Sequence, residues 1–444
     1  MQRIRFSTVD FDIGIQHRFL KRDTILPVET TSGERPVITI CRRGAERIRG
    51  GHVWVYRSDV LQADGVSPGA VVEVQAEGGR RSQALGTAFY STASEIAVRM
   101  ISRQKVSDAE QLVRERIRAA IAYRQKFVKE SNAYRVVFSE GDQLPGLIVD
   151  RYNDLLSIQA LTQTMDSERM RGNFIPELQD ALQPRAIVER VDARIRKLER
   201  LPEKESGLIW PDGSARGAPA LSAAEGMPVA PQSLRAEFQM NGLRFVYDAL
   251  AGQKTGAFLD QRENYAAAAG YARGEALDVF CYQGGFALHL AKACSSVTGV
   301  DSSRPALEIA EQNAALNGRE VEWIEANAFD LLRDYASSGR KYDCIVLDPP
   351  AFAKSRRDLT DALRAYKELN LRALKMLRSD GILVTCSCSY HVSASLLLEI
   401  VSEAAQDSHR IVRILENRGQ SKDHPTIAGI PETGYLKCLI CCCN

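Results

Sequence analysis

The stretch LDVFCYQGGF, Leu277 to Phe286, decides the fold, because an apolar strand passes through two glycines straight into the helical sequence ALHLAKAC. Gly284 and Gly285 permit a tight turn and a close approach of the backbone to a ligand. The next apolar strand, VTGVD, ends in Asp301, which lies 17 residues beyond Gly284. An acid in that place can accept hydrogen bonds from both ribose hydroxyls of a nucleoside. The two strand ends therefore predict a nucleoside-binding crevice at the edge of an α/β sheet.

Apolar strands and amphipathic helices alternate from about Gly270 to the end of the chain. The strands are read in ALDVFCY, VTGVD, VEWIEA, DCIVLD, GILVTCS, RIVRIL and TGYLKCLICCC. Near-continuous apolar strands that alternate with helices are typical of a parallel sheet covered on both faces. A hairpin precedes them, and its turn lies at Asn241-Gly242. We therefore predict a doubly wound α/β domain over residues 234–444.

The first half of the chain has a different pattern, which predicts two smaller domains. Residues 36–108 read as short strands separated by turns, in PVITI, HVWVY, GAVVEVQAEGG, ALGTAFY and IAVRMI, and predict a β-rich domain. Residues 109–233 combine a long helix, the strands YRVVFSE and GLIVDRYNDLLSIQAL, a helix near Ser167–Leu182 and the strand AIVERV, which predicts a small α+β domain. Its end, residues 202–233, is rich in Pro, Gly, Ala and Ser and reads as a linker. Residues 1–35 show no clear period and stay unassigned.

Composition and charge are typical of a soluble globular protein with a polyanionic partner. Hydrophobic residues make up 45% of the chain and charged residues 26%. Apolar runs stay well short of the roughly 20 residues that span a bilayer, and charges interrupt the start, so we expect a cytosolic protein. Residues 1–130 carry 22 Lys/Arg against 15 Asp/Glu, although the net charge of the whole chain is only +2. This excess, which includes Arg42 and Arg43, favours an N-terminal module that faces a polyanion.

The ten cysteines read as reduced thiols in a long chain without an export signal. Cys438, Cys441, Cys442 and Cys443 resemble metal ligands, but no second CxxC and no paired histidine motif accompanies them. We favour a buried terminal strand in which cysteine acts as a small apolar side chain, and we expect no metal site.

The glycine turn argues against a dinucleotide. A phosphate-binding fingerprint needs GxGxxG, and Phe280 and Tyr282 occupy its first two glycine positions. S-adenosylmethionine carries no phosphate and does not need the strict glycine pattern. The turn with its spaced Asp301 therefore favours S-adenosylmethionine as the cofactor.

The ends of the fourth and fifth strands carry the candidate chemistry. The fourth ends in Asp348-Pro349-Pro350, a rigid loop that aims the carboxylate into the cleft, and Phe352 can stack on an extruded base. The fifth ends in TCSCS, with Cys386 and Cys388. A thiolate there suits cytosine C5 methylation, because its addition at C6 makes C5 nucleophilic. The alternative is that both cysteines only pack within the strand.

These residues together resemble the bacterial 23S rRNA cytosine-C5 methyltransferases that have an N-terminal PUA domain. The likeness runs from about Pro36 to the C-terminus. It rests on RGGHVWVY, SEIAVRM, EGDQLPGLIVDRY, GQKTGAFLDQREN, DVFCYQGGFA, VLDPPAFAKS, AYKELN, TCSCS, DHP and PETGYLK. The resemblance implies a PUA domain, a small α+β domain and a Rossmann-like methyltransferase domain. It places Cys388 at the family's nucleophile, whereas Cys386 stands where the family is commonly apolar.

The resemblance also implies roles for named residues and partners. Asp348 would orient the base, and Asn327, which replaces an acid common in such enzymes, would still accept from the adenine amine through its carbonyl. The expected cofactor pocket comprises Phe280, Cys281, Tyr282, Gly284, Asp301, Ser302, Asn327, Ala328 and Asp348. The expected RNA contacts comprise Phe352, Lys354, Arg42 and Arg43.

The predicted partners are an RNA, with large-subunit ribosomal RNA favoured, and a second copy in a homodimer. Two rival functions stay open at this stage. One is a guanine-N methyltransferase on the same scaffold, and the other is an RNA-binding assembly factor without turnover.

Overall fold

A computed structural model of the chain describes residues 35–78, 83–211, 234–249, 256–353 and 355–444. Its strands form three large sheets and one separate hairpin. We use the names N-terminal, central and C-terminal domain for the parts that carry the three large sheets. The boundaries given above at 35/36, 108/109 and 233/234 remain interpretations.

The N-terminal domain has a six-stranded sheet in the order β2-β6-β5-β4-β1-β3. Its elements are β1 (Val37–Ile40), α1 (Arg42–Arg49), β2 (Trp54–Tyr56), β3 (Val60–Gln62), β4 (Val71–Ala76), β5 (Gln83–Tyr90) and β6 (Ile96–Ser102). The five predicted strands are confirmed. Helix α1 was not predicted, and it carries most of the arginine cluster on eight residues.

The central domain has a five-stranded sheet in the order β11-β10-β9-β8-β7. Its elements are α2 (Ala109–Phe127), β7 (Ala133–Phe138), β8 (Leu147–Tyr152), β9 (Leu155–Ala160), α3 (Gln163–Asp166), α4 (Glu168–Leu182), β10 (Ala186–Glu189), α5 (Ala193–Leu198) and β11 (Gly207–Trp210). The single long strand predicted from GLIVDRYNDLLSIQAL is wrong, because the chain reverses at Asn153, whose φ is +58°. The linker prediction is wrong for β11, which pairs with β10. Residues 212–233 of that linker lie outside the described residues.

The C-terminal domain begins with the predicted hairpin, β12 (Arg235–Met240) and β13 (Leu243–Asp248). The seven-stranded sheet follows in the order β16-β15-β14-β17-β18-β20-β19. Its elements are α6 (Arg262–Tyr271), β14 (Glu275–Val279), α7 (Gly285–Leu290), β15 (Ser296–Asp301), α8 (Arg304–Leu316), β16 (Glu322–Glu325), α9 (Ala328–Ser337), β17 (Tyr342–Leu347), α10 (Leu359–Met376), β18 (Leu377–Ser387), α11 (Ala394–Asp407), β19 (Val412–Arg418) and β20 (Lys437–Cys443). All seven predicted strands are present.

The large sheet is not wholly parallel. Strand β20 inserts between β18 and β19 and pairs antiparallel with both. Cys438, Cys441 and Cys443 on β20 are fully buried, which confirms the prediction of a buried terminal strand. The central strands are apolar along their length because successive side chains enter two different cores. On β17, for example, Cys344 and Val346 face one core and Ile345 and Leu347 the other.

The register of the central strands brings the candidate residues to one edge. Strands β17 and β18 are parallel, with Leu347 opposite Thr385. Asp348 and Cys388 follow these strands and therefore leave the sheet at the same end as the β14–α7 turn. This edge is where ligands bind in open α/β sheets.

The central and C-terminal domains meet at a buried carboxylate. Asp423 of the C-terminal domain is fully buried and accepts from Arg262 at 3.0 Å and from the Arg135 backbone amide at 2.9 Å. Burial alone would raise its pKa, but His424, Arg262 and the Arg135 amide hold the pKa of Asp423 at about 2. Arg124 of α2 donates to the Asp423 carbonyl at 2.7 Å and also pairs with Asp142.

The N-terminal domain contacts both other domains. Trp54 donates to Glu140 of the central domain at 2.9 Å, and the His52 ring lies 3.1 Å from Glu432 of the C-terminal domain. Within the described ranges, no helix is both long and apolar enough to cross a bilayer.

Candidate active site

The β14–α7 turn has an unusual backbone. Phe280, Tyr282 and Gly284 have φ angles of +68°, +50° and +83°. Left-handed conformations at non-glycine residues cost energy and concentrate at functional sites. The amides of Phe280 and Cys281 fix the turn, since both donate to the carbonyl of Val300, at 2.9 and 3.0 Å. Gly284 is required here, because a Cβ on it would lie 2.8 Å from the Trp323 ring.

Two backbone amides fix the carboxylate of Asp301 in an orientation that leaves it able to accept further hydrogen bonds. One carboxylate oxygen accepts from the Tyr282 amide at 2.9 Å and the other from the Ser303 amide at 2.9 Å. Each oxygen keeps a further acceptor position. Ser302 lies exposed beside it. This arrangement fits the ribose diol of a nucleoside, as the strand spacing predicts.

Asp278 is a buried acid with an unsatisfied oxygen. One oxygen accepts from the Ala287 amide at 2.8 Å, and the other has no partner among the described residues. Burial, with smaller effects of Asp348 and Asp301, raises the pKa of Asp278 to about 8. Asp348 and Asp301 lie within electrostatic reach of Asp278, and a positively charged ligand beside these carboxyl groups would favour their ionised forms. S-adenosylmethionine has two positively charged groups, its sulfonium and its ammonium, so the residues present fit this cofactor.

Asn327 has a structural role that was not predicted. Its side-chain oxygen caps α9 by accepting from the amides of Phe329 at 2.9 Å and Asp330 at 3.4 Å. The acceptor that was expected to bind the adenine amine is therefore engaged within the protein. Ala328, the first residue of α9, is buried.

Asp348 is positioned by a chain of three side chains. Arg418 donates to Asn264 at 2.8 Å, Asn264 donates to Gln261 at 2.7 Å, and Gln261 donates to one oxygen of Asp348 at 3.0 Å. Burial, and then the nearby carboxylate of Asp260, raise the pKa of Asp348 to about 7. The carboxyl group can therefore be neutral near neutral pH, with its proton on the oxygen that Gln261 does not bind.

The two cysteines of TCSCS differ in environment. Cys386 is fully buried in the core that contains Val384 and Cys438, and burial raises its pKa well above the usual value. Cys388 follows the end of β18 and is partly exposed. Only a thiol that substrate can reach can act as a nucleophile, so the geometry favours Cys388 over Cys386.

A hydroxyl network surrounds Cys388. Tyr366 of α10 is buried, and its hydroxyl lies 3.0 Å from the hydroxyls of both Ser387 and Ser389. The Ala353 amide donates to Ser389 at 3.4 Å, which connects the network to the loop after Asp348. Phe352, the predicted stacking residue, packs its ring 4.9 Å from Tyr366 and 5.9 Å from Phe329 and remains partly exposed.

The predicted RNA contacts are spread over the chain. Arg42 is exposed and pairs with Glu46 at 2.7 Å. Arg43 pairs with Asp59, which is fully buried and also binds Arg47 at 2.7 Å. Both arginines keep exposed side chains, but each has a carboxylate partner. Lys354 lies outside the described residues.

Three residues of the site were not assigned from sequence. Gln261, Tyr366 and Lys437 lie within FLDQREN, AYKELN and PETGYLK, which carried the resemblance without a stated role. Their position beside Asp348 and Cys388 depends on contacts between distant segments. The stretches themselves are the signal that could have found them.

Two family models match parts of the chain, and curated relatives match most of it. Residues 220–435 match the S-adenosylmethionine-dependent methyltransferase family, and residues 38–103 match the PUA-like domain family. The ribosomal RNA large subunit methyltransferase I of Shewanella denitrificans is 36% identical over 400 residues, which cover 88% of this chain and 94% of that protein. The protein of the same name from Photobacterium profundum is 34% identical over 411 residues, which cover 90% and 97%.

Solved structures share the fold. A protein assigned as a methyltransferase and crystallised with SAH has a TM-score of 0.74 at 17% identity, over 91% of this chain and 99% of that one. A protein from Streptococcus mutans, assigned as a SAM-dependent methyltransferase, has a TM-score of 0.73 at 17% identity over the same shares of the two chains. At this identity the likeness shows the fold alone.

Proposed function

Because the chain belongs to the ribosomal RNA large subunit methyltransferase I family and uses S-adenosylmethionine, we propose that it methylates C5 of a cytosine in large-subunit ribosomal RNA through a Cys388 adduct. The observation that carries the proposal is the partly exposed thiol of Cys388 at the sheet edge that also bears Asp348. A hydrogen bond supports their proximity, because Ser389, directly after Cys388, accepts from the amide of Ala353 in the loop that follows Asp348.

The chemistry requires a nucleophile and a proton source. The Cys388 thiolate adds to C6 of the cytosine, and the electron pair of the C5–C6 double bond moves so that C5 becomes nucleophilic. Asp348 in its neutral form donates its proton to N3 and so stabilises the adduct. When bound, S-adenosylmethionine supplies the electrophilic methyl group that C5 takes. Loss of the C5 proton to a general base then lets the C5–C6 double bond form again, the thiolate is expelled, and N3 returns its proton to Asp348.

We also propose how the chain binds its RNA and where in the cell it acts. The PUA-like domain with its exposed Arg42 and Arg43 would hold RNA through phosphates, so binding should weaken steeply with salt. The relatives' names refer to large-subunit ribosomal RNA, and we propose the same substrate in the cytoplasm. The homodimer stays a prediction.

The covalent adduct gives a direct test. RNA that contains 5-fluorocytosine should trap the enzyme, because fluorine at C5 cannot leave as a proton. We expect the wild type and Cys386→Ser to form the trapped complex and Cys388→Ser to form none and to lose methylation. Full methylation by Cys388→Ser would overturn the proposal and favour a guanine-N methyltransferase. Absence of both methylation and trapping in the wild type, with RNA still bound, would favour an assembly factor.

A further inference from the structure

Lys437 is a buried cation that the proposed mechanism leaves without a role. It is the first residue of β20, and only 9% of its surface is exposed. Lysine is rarely buried to this extent, because its ammonium must leave water. A buried lysine at the active edge of the sheet therefore calls for a partner or a function.

The contacts of Lys437 bring its amine to the Cys388 loop. Nζ donates to the carbonyl of Ser389 at 2.7 Å and to the carbonyl of Tyr435 at 2.7 Å. Ser389 is the residue directly after Cys388, so the amine lies against the backbone that carries the thiol. An ammonium has three N–H groups, and these two carbonyls use two of them.

Neutral, acidic and basic side chains lie near Cys388. Tyr366 of α10 and Tyr435 before β20 lie within electrostatic reach of the thiol, and both are neutral near pH 7 because burial raises their pKa. Asp260 adds negative charge near Tyr435, and Asp348 adds negative charge near Tyr366 once it ionises above about pH 7. Among these described groups, Lys437 is the one whose positive charge can stabilise a negative charge on the Cys388 sulfur.

The interaction between Lys437 and Cys388 is mutual. Burial lowers the pKa of Lys437 to about 8, and the negative charge of Cys388 acts in the opposite direction. Since the pKa of the amine stays above 7, the ammonium form predominates at neutral pH. An ammonium that a thiolate stabilises must stabilise that thiolate by the same free energy.

We propose that Lys437 is a positioning residue that holds Cys388 as a thiolate, with the thiol proton released to solvent, and that it fixes the TCSCS loop through the Ser389 carbonyl. The inference rests on the proposed function, because it gives the nucleophile its reactive form. A cleft of about 820 Å³ opens beside Lys437 between the loop of Tyr390 and His391 and the segment of Gln420 and Leu436. Lys437 lines this cleft, which gives the lysine a route to solvent, and the thiol of Cys388 is itself partly exposed to reagents.

Alkylation of the intact protein by iodoacetamide tests the inference, because the thiolate is the form that reacts. The rate at Cys388, followed by peptide mass spectrometry over a range of pH, separates it from the other cysteines. We expect Lys437→Gln, which keeps hydrogen-bond donors without charge, to react about tenfold more slowly near pH 7, with the midpoint raised by about one pH unit. Lys437→Arg should retain most of the rate, and Lys375→Met, at an exposed site on α10, should behave as the wild type.

Two results would overturn the inference. One is an unchanged alkylation profile in Lys437→Gln, which would make the lysine a structural brace alone. The other is an equal loss of rate in Lys437→Arg and Lys437→Gln, because that loss would follow shape and not charge. If Lys437→Gln does not fold by circular dichroism, Lys437→Met replaces it. The alkylation rate does not depend on methyl transfer. Full methylation by Cys388→Ser would therefore remove the proposed function, whereas an unchanged alkylation profile would remove only this inference.

Discussion

At the scale of single residues, strand ends were the informative positions. Asp301 and Asp348 were predicted because each follows a buried apolar run, and the structure places both at the ligand edge of the sheet. The capping role of Asn327 was not predicted, although an Asn directly before an amphipathic helix is an ordinary N-cap signal. No local pattern identified Gln261 and Tyr366, because their hydrogen-bond partners, Asp348 and Ser389, lie 87 and 23 residues away in the chain.

Asp348→Asn should separate activity from stability. The folded protein keeps Asp348 neutral up to about pH 7, whereas the unfolded chain ionises near 3.8. Its contribution to stability is therefore present below the lower value and lost as pH rises through the upper one. The amide cannot ionise, so we expect the variant to melt at a higher temperature than the wild type at pH 8 and near the wild-type temperature at pH 4.

The same variant should lose about 10²- to 10³-fold in methylation rate, since an amide cannot deliver a proton to N3. The wild-type rate should fall as pH rises above about 7, and the variant should lack this limb. Stopped assays at several pH values and thermal melts give both readouts. Asp330→Asn, at an exposed site on α9, is the control. A variant with wild-type activity would remove Asp348 from the chemistry.

At the scale of elements, hydrophobic runs identified the strands, but not their direction or their breaks. Strand β20 is antiparallel because only a loop, and no crossover helix, separates it from β19. The pattern of TGYLKCLICCC shows burial and carries no information on direction. The reversal at Asn153 was missed although Asn153 and Asp154, which form the two-residue loop between β8 and β9, are residues that favour turns. The β14–α7 turn was predicted from its glycines, yet its left-handed Phe280 and Tyr282 could not be.

Gly284→Ala should damage this turn. A left-handed φ costs a non-glycine residue about 1–2 kcal/mol, and the added Cβ would lie 2.8 Å from Trp323. We expect a lower free energy of unfolding and at least about tenfold weaker binding of S-adenosylmethionine by calorimetry. Gly270→Ala on α6 is the matched control, since its Cβ would meet nothing within 4 Å and should be neutral or stabilising. Equal cofactor affinity in both variants would contradict the importance of the turn.

At the scale of the whole molecule, the order of parts followed from the sequence, but their docking did not. The change from short strands to strand–helix alternation predicted a β-rich, an α+β and an α/β part. Their contacts join residues far apart in the chain, such as Arg124 and Asp423, which are 299 positions apart. Local patterns cannot reveal such pairs. DHP and EGDQLPG were quoted as family-like stretches, and the structure shows that both lie at this junction.

Arg124→Met should loosen the junction. The substitution removes the cation that pairs with the buried carboxylate of Asp142, which keeps only the Phe138 amide, and it removes the side-chain donor to the Asp423 carbonyl. Loss of one partner of a buried ion pair typically costs about 3–5 kcal/mol. Urea denaturation should show this loss, together with separate transitions for the central and C-terminal domains. Lys126→Met lies on the same helix at an exposed position, so it should cost under about 1 kcal/mol. Equal stability of the two variants would show that the junction contributes little.

The contacts of Trp54, His52 and Asp423 hold the three domains at fixed positions, so the span from the α1 arginines to Cys388 is set by the protein and not by the RNA. An RNA that is bound by the α1 arginines can place in the active site only those nucleotides that lie at this fixed distance from the bound part. The choice of cytosine would then depend on the length and shape of the intervening RNA more than on its flanking bases. Inserting one base pair into that RNA would bring a different nucleotide to the thiol.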